Sequence, residues 1–389
     1  MNGKFYTPDG FTDILPGICR QKKELEQRLR NLFGLYGYDE IETPGVEYCD
    51  VYTSTGFVGE ENLYKYTDQK GRLLCSRYDG TIPAARLATR AYVDAVMPVR
   101  LCYIENMYRF NQSGGGKQSG FTQAGVELMG AGGLMADTEV IALAIRSALE
   151  IGITDLQVSV GDTEFYAGLV RQLGLSADEA KELKAAIRAK NPLKIEQLGK
   201  DLGERDRETL RMLTSESGTY DVIEAFRDRV TDEGALAALA NLEGILKYLE
   251  GYDYLKYITV DMGLMGSVDY YTGMIFKGYT YEVGFPVISG GRYDKVAEAF
   301  GRDMPAVGFQ ISLTLSLTAL MRQKKLQDNK ADKVLIGGAP EAVLARAEQL
   351  RGEGVAVAVD ITGMNEEELS QAAGKAGIET VIYLEEGEA

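Results

Sequence analysis

Two runs of strand-forming residues, 99–110 and 119–130, flank the segment Gln112-Ser113-Gly114-Gly115-Gly116-Lys117, and this arrangement constrains the fold more than any other feature. Strand, glycine-rich turn and strand predict an antiparallel hairpin with a loose tip. Ahead of it, residues 18–36 read as a helix, with Leu25, Leu29, Leu32, Phe33 and Tyr36 on one face. A strand-like run, Tyr38 to Thr43, stops at Pro44-Gly45, and a helix over Thr81–Ala91 follows the turn at Asp79-Gly80. Behind the hairpin, Asp137 is expected to cap a helix to about Glu150, and a strand follows at 155–160.

From about 162 to 250 the chain is rich in Ala, Glu, Lys and Leu. Ser176 with Glu179 has capping-box spacing, and Asn191-Pro192 opens another helix. Sustained heptads are missing, so this helical insertion reads as a small bundle. Strand signals return at 257–262, 272–281 and 305–311, and a helix runs to about Arg322. A polar linker, Gln323 to Asp332, precedes a final unit that alternates strand 333–337, helix 340–352, strand 355–359, helix 366–375 and strand 379–384. That alternation implies right-handed crossovers and a small, mostly parallel sheet. The class is therefore α+β: a core over 1–325 carrying the insertion, and a separate α/β unit over 333–389.

The chain contains no histidine, which excludes every mechanism with an imidazole base. Its net charge of −16 makes it a poor default for holding a nucleic-acid backbone. The four cysteines, Cys19, Cys49, Cys75 and Cys102, form no C-x-x-C pair, so reduced structural thiols are expected and neither a metal site nor a disulfide scaffold. No stretch approaches the apolar length of a membrane span, and Met1 to Gly10 lacks an apolar signal core, so the expected place is the cytoplasm.

The glycine-rich tip fails as a phosphate loop, because Gln118 follows Lys117 and the tip lies between strands, not before a helix. Gly337-Gly338 lacks the rest of a dinucleotide fingerprint and reads as a tight strand-to-helix turn. Three tyrosine-rich stretches are more informative: Arg77-Tyr78-Asp79-Gly80-Thr81, Asp269-Tyr270-Tyr271-Thr272-Gly273 and Gly290-Gly291-Arg292-Tyr293-Asp294. Gln123 and Glu127 are four apart and share a strand face. Together these groups could line one pocket with carboxylates and phenols, suited to a small cationic or amphoteric ligand.

In this order, the stretches resemble class II aminoacyl-tRNA synthetases, and most closely the histidyl-tRNA synthetase family. Thr7-Pro8-Asp9-Gly10-Phe11-Thr12-Asp13-Ile14-Leu15-Pro16 resembles that family's N-terminal segment. Gly37-Tyr38-Asp39-Glu40-Ile41-Glu42-Thr43-Pro44 resembles motif 1, which builds the family's dimer interface. Met107-Tyr108-Arg109-Phe110 resembles motif 2, and Pro305-Ala306-Val307-Gly308-Phe309 opens a motif 3. The two tyrosine stretches at 269–273 and 290–294 correspond to the family's histidine-binding signatures. The resemblance runs over nearly the whole chain and implies a class II synthetase-like antiparallel sheet core, with 333–389 as a shortened anticodon-binding-like unit.

The departures bear on activity. Gly266 stands where the working synthetase has an arginine for the substrate carboxylate, and Thr314-Leu315 replace the Glu-Arg pair that ends motif 3. Asn111 replaces the motif 2 glutamate, and Ser119 or Gly120 replaces an ATP-contacting arginine. Each lost group of this kind typically costs about 10²–10³-fold in rate, so no catalytic residue is expected. The amino-acid lining is mostly kept. By the resemblance, the histidine-binding set is Asp79, Thr81, Arg109, Gln123, Glu127, Tyr270, Tyr271 and Tyr293, with Asp79 and Thr81 at the α-ammonium and Glu127 with Tyr271 at the imidazole.

A histidine-recognising synthetase fold without catalysis resembles the regulatory-subunit family of ATP phosphoribosyltransferase. That implies a hetero-oligomer with a short-form catalytic subunit joining ATP to phosphoribosyl pyrophosphate. It also implies a homodimer through the motif 1 region, L-histidine as effector, no tRNA and no cofactor. Two other readings stay open at this point: a divergent histidyl-tRNA synthetase, and a histidine-sensing module with another partner.

Overall fold

The computed structural model describes residues 5–54, 56–110, 118–266, 270–326 and 333–386, in two compact units, Met1–Leu326 and Gln327–Ala389. The hairpin tip with Asn111, and the stretch Ser267 to Asp269, lie outside the described residues.

The first unit begins with α1 (Pro16–Leu35), whose proline sits where a helix has no N–H to lose, and which buries Leu25, Leu29, Leu32 and Phe33. There follow β1 (Asp39–Glu40), β2 (Val46–Tyr48), α2 (Asp50–Thr53), β3 (Lys65–Thr67), β4 (Leu73–Ser76) and α3 (Thr81–Ala91). The hairpin is β5 (Val99–Tyr108) and β6 (Gly120–Met129), and after it come α4 (Leu134–Glu150) and β7 (Gln157–Asp162). The insertion comprises α5 (Thr163–Leu173), α6 (Ala177–Arg188), α7 (Pro192–Leu198), α8 (Glu204–Ser215), α9 (Tyr220–Arg227) and α10 (Glu233–Gly251). Its boundaries match the change in composition, and both predicted caps form: Ser176 with Glu179 as a capping box, and Asn191 on the Lys194 amide. The unit closes with β8 (Ile258–Val260), β9 (Met274–Tyr279), β10 (Ile288–Arg292), α11 (Lys295–Glu298), β11 (Ala306–Ser312) and α12 (Leu313–Arg322).

These strands build a sheet in the order β1-β5-β6-β11-β10-β9-β7-β8, antiparallel except at its two edges. Alternation divides β6 cleanly. Ala124, Val126 and Leu128 enter the main core with α1 and α4, where Phe33 meets Phe309 edge-on at 6.2 Å. Gln123, Gly125 and Glu127 point to the other face. A second, three-stranded sheet, β2-β4-β3, was not foreseen.

Three expectations need correction, and one strand was not foreseen. The run Tyr38 to Thr43 is a strand only at Asp39–Glu40, although the Ile41 amide still donates to Cys102 O at 2.8 Å. Asp137 does not cap α4, which starts at Leu134. It lies in the first turn, and its carboxylate takes the Arg292 guanidinium instead. Gly290–Asp294 contains β10, a strand its glycines concealed. Gln323 to Leu326 is not linker: Gln323 Nε2 donates to Tyr281 O and Thr280 Oγ1 at 3.1 Å each, and Lys325 pairs with Asp155 at 2.9 Å.

The second unit holds β12 (Lys333–Gly338), α13 (Pro340–Gly352), β13 (Ala356–Val359), α14 (Glu366–Ala376) and β14 (Thr380–Leu384). Its sheet is parallel, as the alternation implies, and its strand order is β13-β12-β14. Val343 and Ala347 cluster with Ile336, and Leu369 and Ala373 with Leu335. Gly338, at φ +115° and with room for no side chain 2.0 Å from Leu384 O, makes the predicted tight turn. Among the described residues no helix is long and apolar enough to cross a membrane. Cys49, Cys75 and Cys102 are buried free thiols.

Candidate functional site

Glu127 is the centre of the polar face of β6. It is 1% exposed, and three hydroxyls point at it. Thr81 Oγ1 donates to Oε1 at 2.8 Å, the Tyr103 hydroxyl donates to the same oxygen at 3.1 Å, and the Tyr293 hydroxyl donates to Oε2. Burial pushes the carboxyl up to about 7, with the three donors pulling the other way and the nearby Asp79 adding to the rise.

Glycines make this packing possible. Gly308 faces Glu127 across the β6–β11 ladder, and a Cβ there would lie 2.0 Å from Oε2. The Tyr103 ring fills the space over Gly80 and Gly125, where a Cβ would come within 2.2 and 2.5 Å of it. Tyr103 was missed by sequence reasoning. It sits directly opposite Gly125 in the observed register, whereas folding the predicted strands about their tip pairs it with Val126, one position away and on the other face.

Asp79 stands just before α3. Its Oδ1 accepts from the Ile82 amide at 3.2 Å, as a cap does, while Oδ2 has no hydrogen-bond partner among the described residues. Burial pushes this carboxyl up to about 6, opposed by the charge of Arg109. The Asp79 loop is held by Arg77, the first member of the same stretch, which is structural. Arg77 donates to Thr43 O at 2.6 Å and Asn106 O at 3.1 Å and pairs with the buried Glu105 at 2.8 Å.

Arg109, at the end of β5, lies between two rings. Its guanidinium carbon is 4.6 Å from the Tyr78 centroid and 5.1 Å from that of Phe121, and Nε donates to Tyr78 O at 3.1 Å. Gln123 is 2% exposed, and its Oε1 has no partner among the described residues. It shares the strand face of Glu127 without bonding to the other members.

The tyrosine wall comes from the loop before β9 and the end of β10. Tyr270 contacts Tyr271 at 5.0 Å and Tyr293 at 6.0 Å between centroids, and Phe57 packs on Tyr270 at 5.8 Å. Burial, then the charges of Glu127 and Asp79, hold the Tyr271 phenol above its usual range. The wall is tied to the insertion: Thr163, the first residue of α5, donates its amide and hydroxyl to Gly273 O at 2.9 and 3.0 Å.

All eight predicted residues therefore fall in this region. Thr81 and Tyr293 each donate to Glu127, Tyr270 and Tyr271 adjoin them, and Asp79 lies within the field of Arg109. Asp79 Oδ2 and Gln123 Oε1 add two buried acceptors without a partner among the described residues. Where a synthetase needs cations, Thr314 Oγ1 accepts from the Thr122 amide at 3.0 Å and Leu315 packs against the main core. A Cβ at Gly120 would meet the Phe11 ring at 2.7 Å, so no side chain projects from there.

Residues 10–315 match the family model described as histidyl-tRNA synthetase. An ATP phosphoribosyltransferase regulatory subunit from Acetivibrio thermocellus is 40% identical over 387 residues, covering 98% of this chain and 93% of that one. Another from Clostridium kluyveri is 33% identical over 374 residues, covering 94% and 95%. The crystal structure of an ATP phosphoribosyltransferase regulatory subunit/histidyl-tRNA synthetase from Bacillus halodurans superimposes with a TM-score of 0.88 at 32% identity, covering 98% of both chains. A histidyl-tRNA synthetase from Nostoc, at 23% identity and a TM-score of 0.81 over 98% of this chain and 92% of that one, shares the fold. The chain belongs to the histidyl-tRNA synthetase-like family of class II synthetase folds, and within it to the ATP phosphoribosyltransferase regulatory subunits.

Proposed function

We propose that this chain is the non-catalytic regulatory subunit of ATP phosphoribosyltransferase, acting at the first step of histidine biosynthesis. In this reading it binds a short-form catalytic subunit and carries L-histidine as effector in the pocket around Glu127. The observation that carries it is the contrast within one site. The amine end has buried acceptors, Asp79 Oδ2 and Gln123 Oε1, waiting for donors, while the phosphate end has Leu315 and Gly120 in place of cations. Adenylate formation needs fixed positive charge where negative charge develops. Amino-acid binding needs only the first half.

Histidine then acts by binding the less active arrangement of the complex more tightly, with about 1–3 kcal/mol of coupling for a usual allosteric factor. A homodimer through the motif 1 region accompanies this reading. It is supported by the end of α1, which leaves Leu35 85% exposed beside that segment.

Calorimetric titration with L-histidine, and with ATP in parallel, tests the pocket. Histidine binding without ATP binding is expected. Assay of the complex reconstituted with a short-form catalytic subunit tests the role: activity should require this chain, and Glu127→Ala should relieve inhibition by histidine. ATP–pyrophosphate exchange driven by histidine would overturn the non-catalytic reading.

A further inference from the structure

On the face of the large sheet that carries Glu127, a separate polar row runs across the strands. From β11 to β8 the register aligns Gln310, Ser289, Lys277, Ser159 and Thr259, one from each strand and all on the same side. The row meets β6 at Gly125, two residues from Glu127 and on its face. All five side chains are polar, and all are partly exposed. The row beside it, from Glu127 through Gly308, Gly291 and Ile275 to Gly161, is buried throughout. On the opposite face Phe276, Ile288 and Phe309 enter the main core. Solvent therefore reaches the middle of an eight-stranded sheet along one polar stripe.

Donors and positive charge are left over along this stripe. Lys277 Nζ donates to Met265 O at 2.8 Å, which uses one of its three N–H groups. Ser289 and Ser159 flank it on the neighbouring strands, roughly 4.8 Å to either side. Among the described residues neither hydroxyl is spent on another protein group. Burial, then the charge of Arg188 in the last turn of α6, lowers the Lys277 pKa, with Asp261 opposing from a distance. Asp261 Oδ1 takes the Gly263 amide at 3.0 Å, and Lys190 is a further cation in its surroundings. Lys277, Arg188 and Lys190 thus share one carboxylate and form no ion pair among the described residues, in a chain whose net charge is −16. An anion set between Lys277 and the two serines would accept from all three and relieve the repulsion between the cations.

We propose that Ser289, Lys277 and Ser159 form an oxyanion subsite on this open stripe, taking the phosphate or carboxylate group of a small ligand that lies across the middle of the sheet. Lys277 supplies the charge, the two serines set the direction, and Arg188 adds a second positive charge nearby. The subsite goes beyond the Glu127 pocket and does not rest on histidine binding there.

The test is calorimetric titration of the whole chain, at constant ionic strength, with inorganic phosphate, with L-histidine and with L-histidinol, which lacks the carboxylate. Lys277→Met keeps the bulk of the side chain and removes its charge, and Lys277→Arg restores the charge. If Lys277→Met weakens phosphate at least about tenfold and leaves histidine unchanged, the subsite holds and its anion is a separate phosphate. If Lys277→Met weakens histidine by that factor and leaves histidinol unchanged, the subsite holds and its anion is the amino acid's own carboxylate. In either case Lys277→Arg should recover binding to within about threefold of the unaltered chain. Ser159→Ala, which leaves the bond to Met265 in place, should weaken the same probe by a smaller factor, so a folding defect in Lys277→Met does not decide the matter. Phosphate and histidine binding that are each either absent or indifferent to both variants would overturn the subsite. Absence of histidine binding alone removes the Glu127 reading, and the phosphate titration then decides the subsite by itself.

Discussion

Asp137 and Glu127 are both about 1% exposed and both lie in the first unit, yet their surroundings answer burial in opposite ways. Asp137 meets a cation: Arg292 Nε and Nη2 reach its Oδ1 at 2.9 and 2.5 Å, and Asn241 Nδ2 of α10 donates to Oδ2 at 3.1 Å. Glu127 meets three neutral hydroxyls. The two arrangements are built from adjacent residues, because Arg292 and Tyr293 leave the end of β10 towards opposite sides. Burial raises the Asp137 carboxyl too, but the Arg292 charge opposes the rise, and the pair with Asn241 joins the sheet, α4 and the insertion. A carboxylate solvated by hydroxyls keeps a pKa near neutrality and stays able to exchange a proton or accept a donor from a ligand.

Removing the cation should hurt the junction more than any single change hurts the pocket. Arg292→Met leaves Asp137 buried without compensation and is expected to cost about 3–5 kcal/mol, read by urea unfolding. Glu127→Gln keeps the volume and an acceptor for the hydroxyls. It should change stability by about 1 kcal/mol or less while weakening histidine at least about tenfold. Equal losses of stability from the two variants would erase the contrast.

The pH dependence sharpens it next. Glu127 rises from 4.5 to about 7 on folding and Asp79 from 3.8 to about 6, so between those limits the folded chain holds more protons than the unfolded one. Stability from these groups is therefore greatest below about pH 4 and falls as pH rises through 6 and 7, on the order of 3 kcal/mol for each group. Glu127→Gln should flatten the fall between pH 5 and 7.5, measured as the difference from the unaltered protein. Gly125→Ala comes after that. Its methyl would press on the Tyr103 ring, with an expected loss of about 1–3 kcal/mol and weaker histidine binding.

The contrast was half visible in the sequence. Glu127 and Gln123 follow from their spacing on a strand, and Thr81 and Tyr293 from stretches whose order resembles a known family. The whole second unit follows from periodicity alone, because its elements are short, regular and joined by glycine or proline. Asp137 was misread because a cap is judged from neighbours, and its true partner is 155 residues away. The sheet β2-β4-β3 escaped because strands of three or four residues with exposed side chains have no alternation to detect. Arg77 stood in a stretch that suggested a ligand, but its contacts to Thr43 and Glu105 depend on tertiary pairing. The orphaned oxygens of Asp79 and Gln123 depend on every neighbouring donor being placed, which spacing cannot supply.

Tyr103→Phe is the smallest and most selective of these changes. The ring remains, so the space above Gly80 and Gly125 stays filled and packing is kept. Only the hydroxyl is lost, and with it one of three donors to Glu127, at about 1 kcal/mol of stability. Losing a donor to the charged form moves the Glu127 pKa further up. The fall of stability with rising pH should therefore be steeper and extend to higher pH in Tyr103→Phe, the opposite sense to Glu127→Gln. Histidine binding should weaken modestly and in parallel, because Tyr103 acts through Glu127. A loss of binding as large as that of Glu127→Gln, with an unchanged pH profile, would instead place the Tyr103 hydroxyl on the ligand itself.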